Sequence, residues 1–110
     1  ENEMAYFVSF SMPEPQLVSA IKSAEQLSIP VYLNGLVKNS MGATAKAMLY
    51  LAQKYNVQGV QVDPTRFTYY GIQSVPALVK KCGSKFDVIY GNVEIKHLLE
   101  TIEREGECKK

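Results

Sequence analysis

A chain of 110 residues is one domain, long enough to close a single core of several helices around a small sheet. At 46% hydrophobic and 21% charged it has an ordinary globular composition, and a formal net charge of +1 gives no reason to expect nucleic acid or an anionic membrane as a partner. No apolar run approaches the ~18–20 residues that a bilayer-spanning helix needs, so a membrane-embedded chain is not expected.

Taken in order, Tyr6-Phe7-Val8-Ser9-Phe10 is rich in β-formers and apolar enough for an interior strand. Ser11 and Glu14 then stand at capping-box spacing, with Pro13 and Pro15 in what would be the first helical turn, where missing amides are tolerated. The helix that follows carries Leu17, Ala20, Ile21, Ala24 and Leu27 as one stripe. Ile29 to Leu33 reads as a second strand, ended by Asn34-Gly35, and Leu36 to Asn39 as a connector. A second helix is expected from about Ser40, with Ala43, Ala47, Met48, Leu51, Ala52 and Tyr55 on one face and Asn56 at its end.

Val60-Gln61-Val62 is a short third strand. Asp63-Pro64 is a strong helix start, because aspartate accepts orphan amides and proline is preset to helical φ. The short helix ends at Gly71, which has no Cβ to clash in the left-handed region. Val75-Pro76 then leads into Ala77 to Lys81; a proline belongs at a strand's first residue and is open there to a cis bond. Phe86 to Tyr90 pairs back through Gly83-Ser84 as a hairpin. A last helix is capped by Asn92, striped by Ile95, Leu98, Leu99 and Ile102, and stopped at Gly106.

The order is β-α-β-α-β-α-β-β-α. Strands separated by helices are expected to pair in parallel and the closing hairpin antiparallel, giving an α/β fold with a mixed sheet flanked by helices on both faces. With proline opening the fourth strand, this is a thioredoxin-like arrangement, a single domain over residues 1–110 with flexible ends.

Thioredoxin-like redox enzymes begin their first helix with C-x-x-C, because the free amides there stabilise a thiolate. The matching place here is Ser11-Met12-Pro13-Glu14, which cannot exchange a disulfide. Ser11 as a nucleophile would need a base and an orienting group, and the single histidine, His97, sits in the last helix between Lys96 and Leu98, where an ordinary exposed or half-exposed side chain is expected. One histidine also argues against a metal site, and no cofactor is expected. The chain's two cysteines, Cys82 and Cys108, form no C-x-x-C pair. A structural disulfide between them fits the even count; two independent thiols or a regulatory bond are the alternatives. Phe67 and Tyr90 read as core or half-buried residues. Tyr69 and Tyr70 are consecutive, so they cannot both face one side, and one of them is expected to be exposed near the Pro76 turn.

Three segments carry a more specific resemblance. Phe7-Val8-Ser9-Phe10-Ser11-Met12-Pro13, Gly59-Val60-Gln61-Val62-Asp63-Pro64-Thr65-Arg66-Phe67 and Tyr70-Gly71-Ile72-Gln73-Ser74-Val75-Pro76-Ala77 resemble the F-type TrbC proteins, pilus-assembly components of conjugative type IV secretion systems. Asp87 to Val93 also fits, so the resemblance covers nearly the whole chain. It implies a periplasmic protein of a Gram-negative cell, with its signal peptide already removed or outside this stretch, and a periplasmic assembly partner such as TraW. It also implies a thioredoxin-like shape without established redox activity, and an oxidising compartment that favours the Cys82–Cys108 bond.

The reading is therefore a non-enzymatic binding module. Its expected working surface is the rim where Ser11, Met12, Pro13 and Glu14 meet Ser74, Val75 and Pro76, joined by Tyr70. The alternative is a periplasmic thiol-disulfide oxidoreductase or isomerase using Cys82 or Cys108, or a chaperone acting on pilus components.

Overall fold

β1 (Glu3–Val8) is the spine of the fold, with Ala5 to Val8 all buried between strands on either side. The computed structural model describes residues 2–91 and 95–105, apart from the side chains of Ile95, Lys96, Leu98 and Glu105. The other elements are α1 (Glu14–Gln26), β2 (Val31–Leu33), α2 (Met41–Tyr55), β3 (Val60–Val62), α3 (Pro64–Tyr70), β4 (Ala77–Cys82), β5 (Lys85–Tyr90) and α4 (Ile95–Glu105). A turn of 3-10 helix at Val37–Asn39 lies inside the expected connector. The expected element order is the observed one. Asn92, Gly106 and Cys108, with the chain ends, lie outside the described residues.

The five strands are ordered β3-β2-β1-β4-β5. β1 to β3 are mutually parallel, as their helical crossovers require, and β4–β5 is the antiparallel hairpin. β4 departs from the expectation that helix-separated strands run parallel: it lies antiparallel to β1, Phe7 opposite Ala77 and Glu3 opposite Lys81. Its preceding strand, β3, is at the far edge, so the chain crosses the sheet end through α3 and the 71–76 turn and re-enters from the opposite side. No parallel crossover is needed for that pairing.

Strand alternation splits the core in two. Tyr6, Val8, Val31, Leu33 and Leu78 face α1, α2 and α4, meeting Leu17, Ile21, Leu51 and Ile102. Burial there pushes the Tyr6 phenol up to about 12. Ala5, Phe7, Tyr32, Ala77 and Val79 face the other way, where α3 contributes Phe67 and Tyr70. Phe7 is the hub of this second face: its ring centroid is 4.8 Å from Phe67, edge to face, 5.8 Å from Tyr32 and 6.0 Å from Tyr70.

Polar side chains tether α3. Asp63 caps it by accepting from the Arg66 amide at 3.1 Å, as its position predicts, and Gly71 ends it at φ 64°. Arg66 donates to Glu3 on β1 at 2.9 Å, and the Tyr70 hydroxyl donates to the other oxygen of the same carboxylate. Burial pushes the Glu3 carboxyl up, but the hydrogen bonds from Arg66 and Tyr70 outweigh it and hold the group below the usual glutamate range. A depressed folded-state pKa gives stability that is complete above the unfolded value and lost as pH falls through the folded one. Thermal unfolding of the wild type should therefore be flat near neutrality and weaken on acidification below the ordinary carboxylate range. Glu3→Gln should show a shallower acid slope, and an identical slope would remove Glu3 from this role.

α2 begins where Ser40 accepts from the Ala43 amide at 3.0 Å, and ends at Asn56 in the left-handed region, both as expected. Its expected apolar face is the inward one: Leu51 is buried, and Ala43, Ala47, Met48, Ala52 and Tyr55 are half-buried, with Thr44 added to the face. Thr44 is buried for a polar reason: its hydroxyl donates to the Ser40 carbonyl and accepts from the Val37 amide, each at 2.7 Å. Thr44→Val would leave that amide unpaired and is expected to cost about 1–3 kcal/mol in urea unfolding, while Thr44→Ser restores most of it.

The start of α1 differs from expectation. The Ser11–Glu14 capping box does not form: the helix begins at Glu14, Pro13 occupies the cap position without a side-chain bond, and the first helical amide, Leu17, donates to the Pro13 carbonyl at 2.9 Å. Met12 precedes a proline and is disfavoured in helical geometry, which moves the start past it. β1 correspondingly ends at Val8 rather than Phe10, and Met12 turns back to donate to the Ser9 carbonyl. Leu27 lies beyond the helix and is 47% exposed, so the buried stripe stops at Ala24, with Val18 added to it.

Candidate partner-binding rim

The ends of β1 and β2 open into a cleft of about 680 Å³. Val8, Leu33 and Phe67 form its floor, and three segments form its walls: Ser9–Ser11, Asn34–Lys38 and Ile72–Val75. Ligands of open α/β sheets gather at the carboxyl ends of parallel strands for a topological reason, since the crossovers diverge there.

Each wall is set by local chemistry. On the first, the Ser9 and Ser11 hydroxyls bond each other at 2.8 Å, and the Ser11 amide donates to Ser9 Oγ at 3.1 Å. On the third, Gly71 reverses the chain, Ile72 donates to the Phe67 carbonyl at 2.9 Å, and the Val75–Pro76 bond is cis. The exposed Tyr90 hydroxyl braces this turn by donating to the Gly71 carbonyl and accepting from the Gln73 amide, each at 3.3 Å. Tyr90 is 43% exposed on the edge strand, so it is not the core or half-buried residue that was expected. Phe67 is buried, as expected.

Of the expected rim residues, Ser11, Ser74 and Val75 line the cleft together. Met12 is half-buried and packs against the core, Pro13 is exposed outside the cleft, and Pro76 is buried behind the turn. Tyr70 does not belong to the rim: it is 4% exposed, its ring held 4.9 Å from Phe86 and its hydroxyl committed to Glu3. Burial, then that carboxylate, pushes its phenol pKa up. Tyr69 is the exposed member of the pair, but it leans over Phe86 and Lys81, away from the cleft lining.

Glu14 has a role unlike the expected one. Its Oε2 accepts from the hydroxyls of Tyr55 and Tyr50 on α2, with Lys54 Nζ at 3.5 Å, and the Tyr55 bond is the main cause holding this carboxyl below its usual range. It fastens α1 to α2. The middle wall was missed because 36–39 reads as a mere connector; the available signal was Asn34-Gly35 at the end of a parallel strand.

His97 is 65% exposed, 3.7 Å from Glu100 on the same helix. Among the described residues no group of three or more His, Cys, Asp or Glu side chains is placed to hold a metal. Cys82 closes β4 and packs partly against the core; its expected partner, Cys108, lies outside the described residues.

The profile of the type-F conjugative transfer system pilin assembly proteins, the F-type TrbC family, matches residues 6–102. The chain belongs to that family. A TrbC relative, the periplasmic protein TrbC of Escherichia coli (strain K12), is 42% identical over 104 residues, which are 94% of this chain and 49% of the relative. This TrbC-type domain thus spans about half the length of that relative, and its compartment is the periplasm. The solved structure of MTB dsbF, in its mixed oxidized and reduced forms, superposes with a TM-score of 0.59 over 94% of this chain and 80% of its own, at 18% identity. At that identity the likeness shows the fold alone, which is thioredoxin-like. No helix among the described residues is long and apolar enough to cross a membrane.

Proposed function

We propose that this TrbC-family domain is a binding module in type-F pilus assembly that works without redox chemistry, holding a periplasmic assembly protein of the TraW type in the cleft between Ser9–Ser11 and Ile72–Val75. The observation that carries the reading is the content of this cleft. Where a thiol pair would need to sit, the turn before α1 offers two serine hydroxyls bonded to each other, and across from them stands an intact proline turn. An extended segment of a partner can lie along such a turn, bonding to its backbone and seating alternate side chains on Val8, Leu33 and Phe67.

We also propose that Cys82 and Cys108 form a structural disulfide, favoured by the oxidising periplasm. Cys82 ends an interior strand next to the hairpin, away from the cleft lining, so this bond serves the fold and leaves the rim to the partner.

Two measurements separate this reading from a thiol enzyme. Insulin reduction and scrambled-disulfide refolding should stay at the uncatalysed rate; turnover lost in Cys82→Ser would overturn the non-catalytic reading. Co-purification from donor cells should recover the assembly partner with the wild type and lose it with a Ser11→Arg/Ser74→Arg variant. Those two positions are exposed, whereas Met12 and Val75 pack partly against the cores and would confound binding with stability.

A further inference from the structure

The middle wall of the rim cleft carries a charge that no described carboxylate answers. Among the described residues lining the cleft, Lys38 alone is ionised; the other polar side chains there, Ser9, Ser11, Asn34, Gln73 and Ser74, are neutral. Lys38 is exposed, and no described carboxylate lies within ion-pair distance of it. The acidic residues that flank the cleft segments in sequence are engaged elsewhere. Glu14 is held by Tyr50, Tyr55 and Lys54 of α2, Glu25 accepts from the Gln58 amide at 2.7 Å, and Asp63 is committed to Arg66.

The loop also fixes where Lys38 stands. Lys38 and Asn39 are both left-handed, at φ 51° and φ 57°, a backbone that residues with a Cβ adopt at a cost. Such backbone persists where its surroundings over-determine it, and ligand clamps are among the places where it gathers. Here Asn39 donates to the Leu36 carbonyl at 3.2 Å, Ser40 to the Val37 carbonyl at 2.9 Å, and Val37 to the buried Thr44 hydroxyl at 2.7 Å. The bonds of Thr44 thus hold the turn that presents the lysine.

We infer, taking this cleft as the partner-holding rim, that the segment it receives is acidic: an extended stretch whose apolar residue rests on Val8, Leu33 and Phe67 while an adjacent aspartate or glutamate meets Lys38. In an extended chain the neighbours of a residue that points to the floor point away from it, toward the open lip. A terminal carboxylate or a phosphate is disfavoured as the charged group. Those are captured by unpaired amides or by arginines. The amides of Val37, Asn39 and Ser40 are committed within the loop, and no arginine is among the described residues lining the cleft. A single ammonium on a flexible stem suits one side-chain carboxylate.

The test is a titration of the isotopically labelled chain with three extended valine-serine peptides. One has a central aspartate and both ends blocked, one has lysine in its place, and one has asparagine there with a free C-terminal carboxylate. The aspartate peptide should shift the amides of Ser11, Lys38, Gln73 and Ser74 and bind about tenfold tighter than the lysine peptide, a preference that fades at about 1 M salt. Lys38→Glu should reverse the order of those two peptides. Lys38→Gly should weaken the aspartate peptide roughly threefold without lowering the melting temperature, because glycine relieves the left-handed backbone. Equal affinity for the aspartate and lysine peptides, or an order unchanged in Lys38→Glu, would overturn the acidic segment and leave the rim standing. Preference for the free carboxylate would overturn it in favour of chain-end capture, and self-association lost in Lys38→Glu in favour of a second copy. Shifts that avoid Ser9–Ser11 and Ile72–Val75 altogether would overturn both the acidic segment and the rim.

Discussion

Phe7→Ala should destabilise the domain by about 3–5 kcal/mol, a large part of the roughly 5–15 kcal/mol available to a domain of this kind. Phe7 is fully buried and touches both aromatic residues that seat α3, the only helix among the described residues on its face of the sheet. Removing the ring leaves Phe67 and Tyr70 without their common support, and the cavity cannot collapse because the backbone of β1 is fixed by β2 and β4. Phe67 is also the floor of the cleft, so the loss reaches the rim. Urea unfolding should show the shift, with Tyr69→Ala as the control at about 1 kcal/mol or less, since Tyr69 is 55% exposed. A Phe7→Ala midpoint no lower than that of the control would contradict the two-faced core.

The second large effect concerns the proposed disulfide. Closing a loop of about 27 residues between Cys82 and Cys108 stabilises a chain by about 3–4 kcal/mol in the chain-entropy treatment. The informative measurement is a double-mutant cycle. If the bond exists, Cys82→Ser, Cys108→Ser and the double variant should lose nearly the same stability, because breaking either end opens the whole loop. Separate, additive losses would mean two independent thiols. Intact mass should rise by about two units on reduction, and thiol reagents should label the protein only after reduction.

Much of this fold was legible because single residues dictated local geometry. Asp63-Pro64 and Gly71 fixed both ends of α3, Ser40 and Asn56 those of α2, and Gly83-Ser84 the hairpin. The failures share a cause, competition between nonlocal partners that spacing does not reveal. Ser11 and Glu14 have capping-box spacing, yet each has a different partner, Ser9 for one and α2 for the other. Tyr70 was a plausible rim residue until Glu3, 67 positions away in the chain, claimed its hydroxyl. The direction of β4 was misread because a helix between two strands says nothing about which sheet edge the second strand joins. The cleft was half visible: Ser11, Ser74 and Val75 were found, while the Asn34–Lys38 wall was passed over as a connector.

The proposed working surface is narrower than the one expected from sequence. The rim is a cleft with a hydrophobic floor and a hydroxyl-lined lip, reached from three loops, and Glu14 belongs to the fastening between α1 and α2.

The most direct test is calorimetric titration of a purified TraW-type assembly protein into the wild-type domain and into Ser11→Arg/Ser74→Arg, with the melting temperature of each recorded. Saturable binding by the wild type, lost at least tenfold in the variant at an unchanged melting temperature, is the predicted result. Equal binding by both proteins would place the working surface elsewhere and contradict the account.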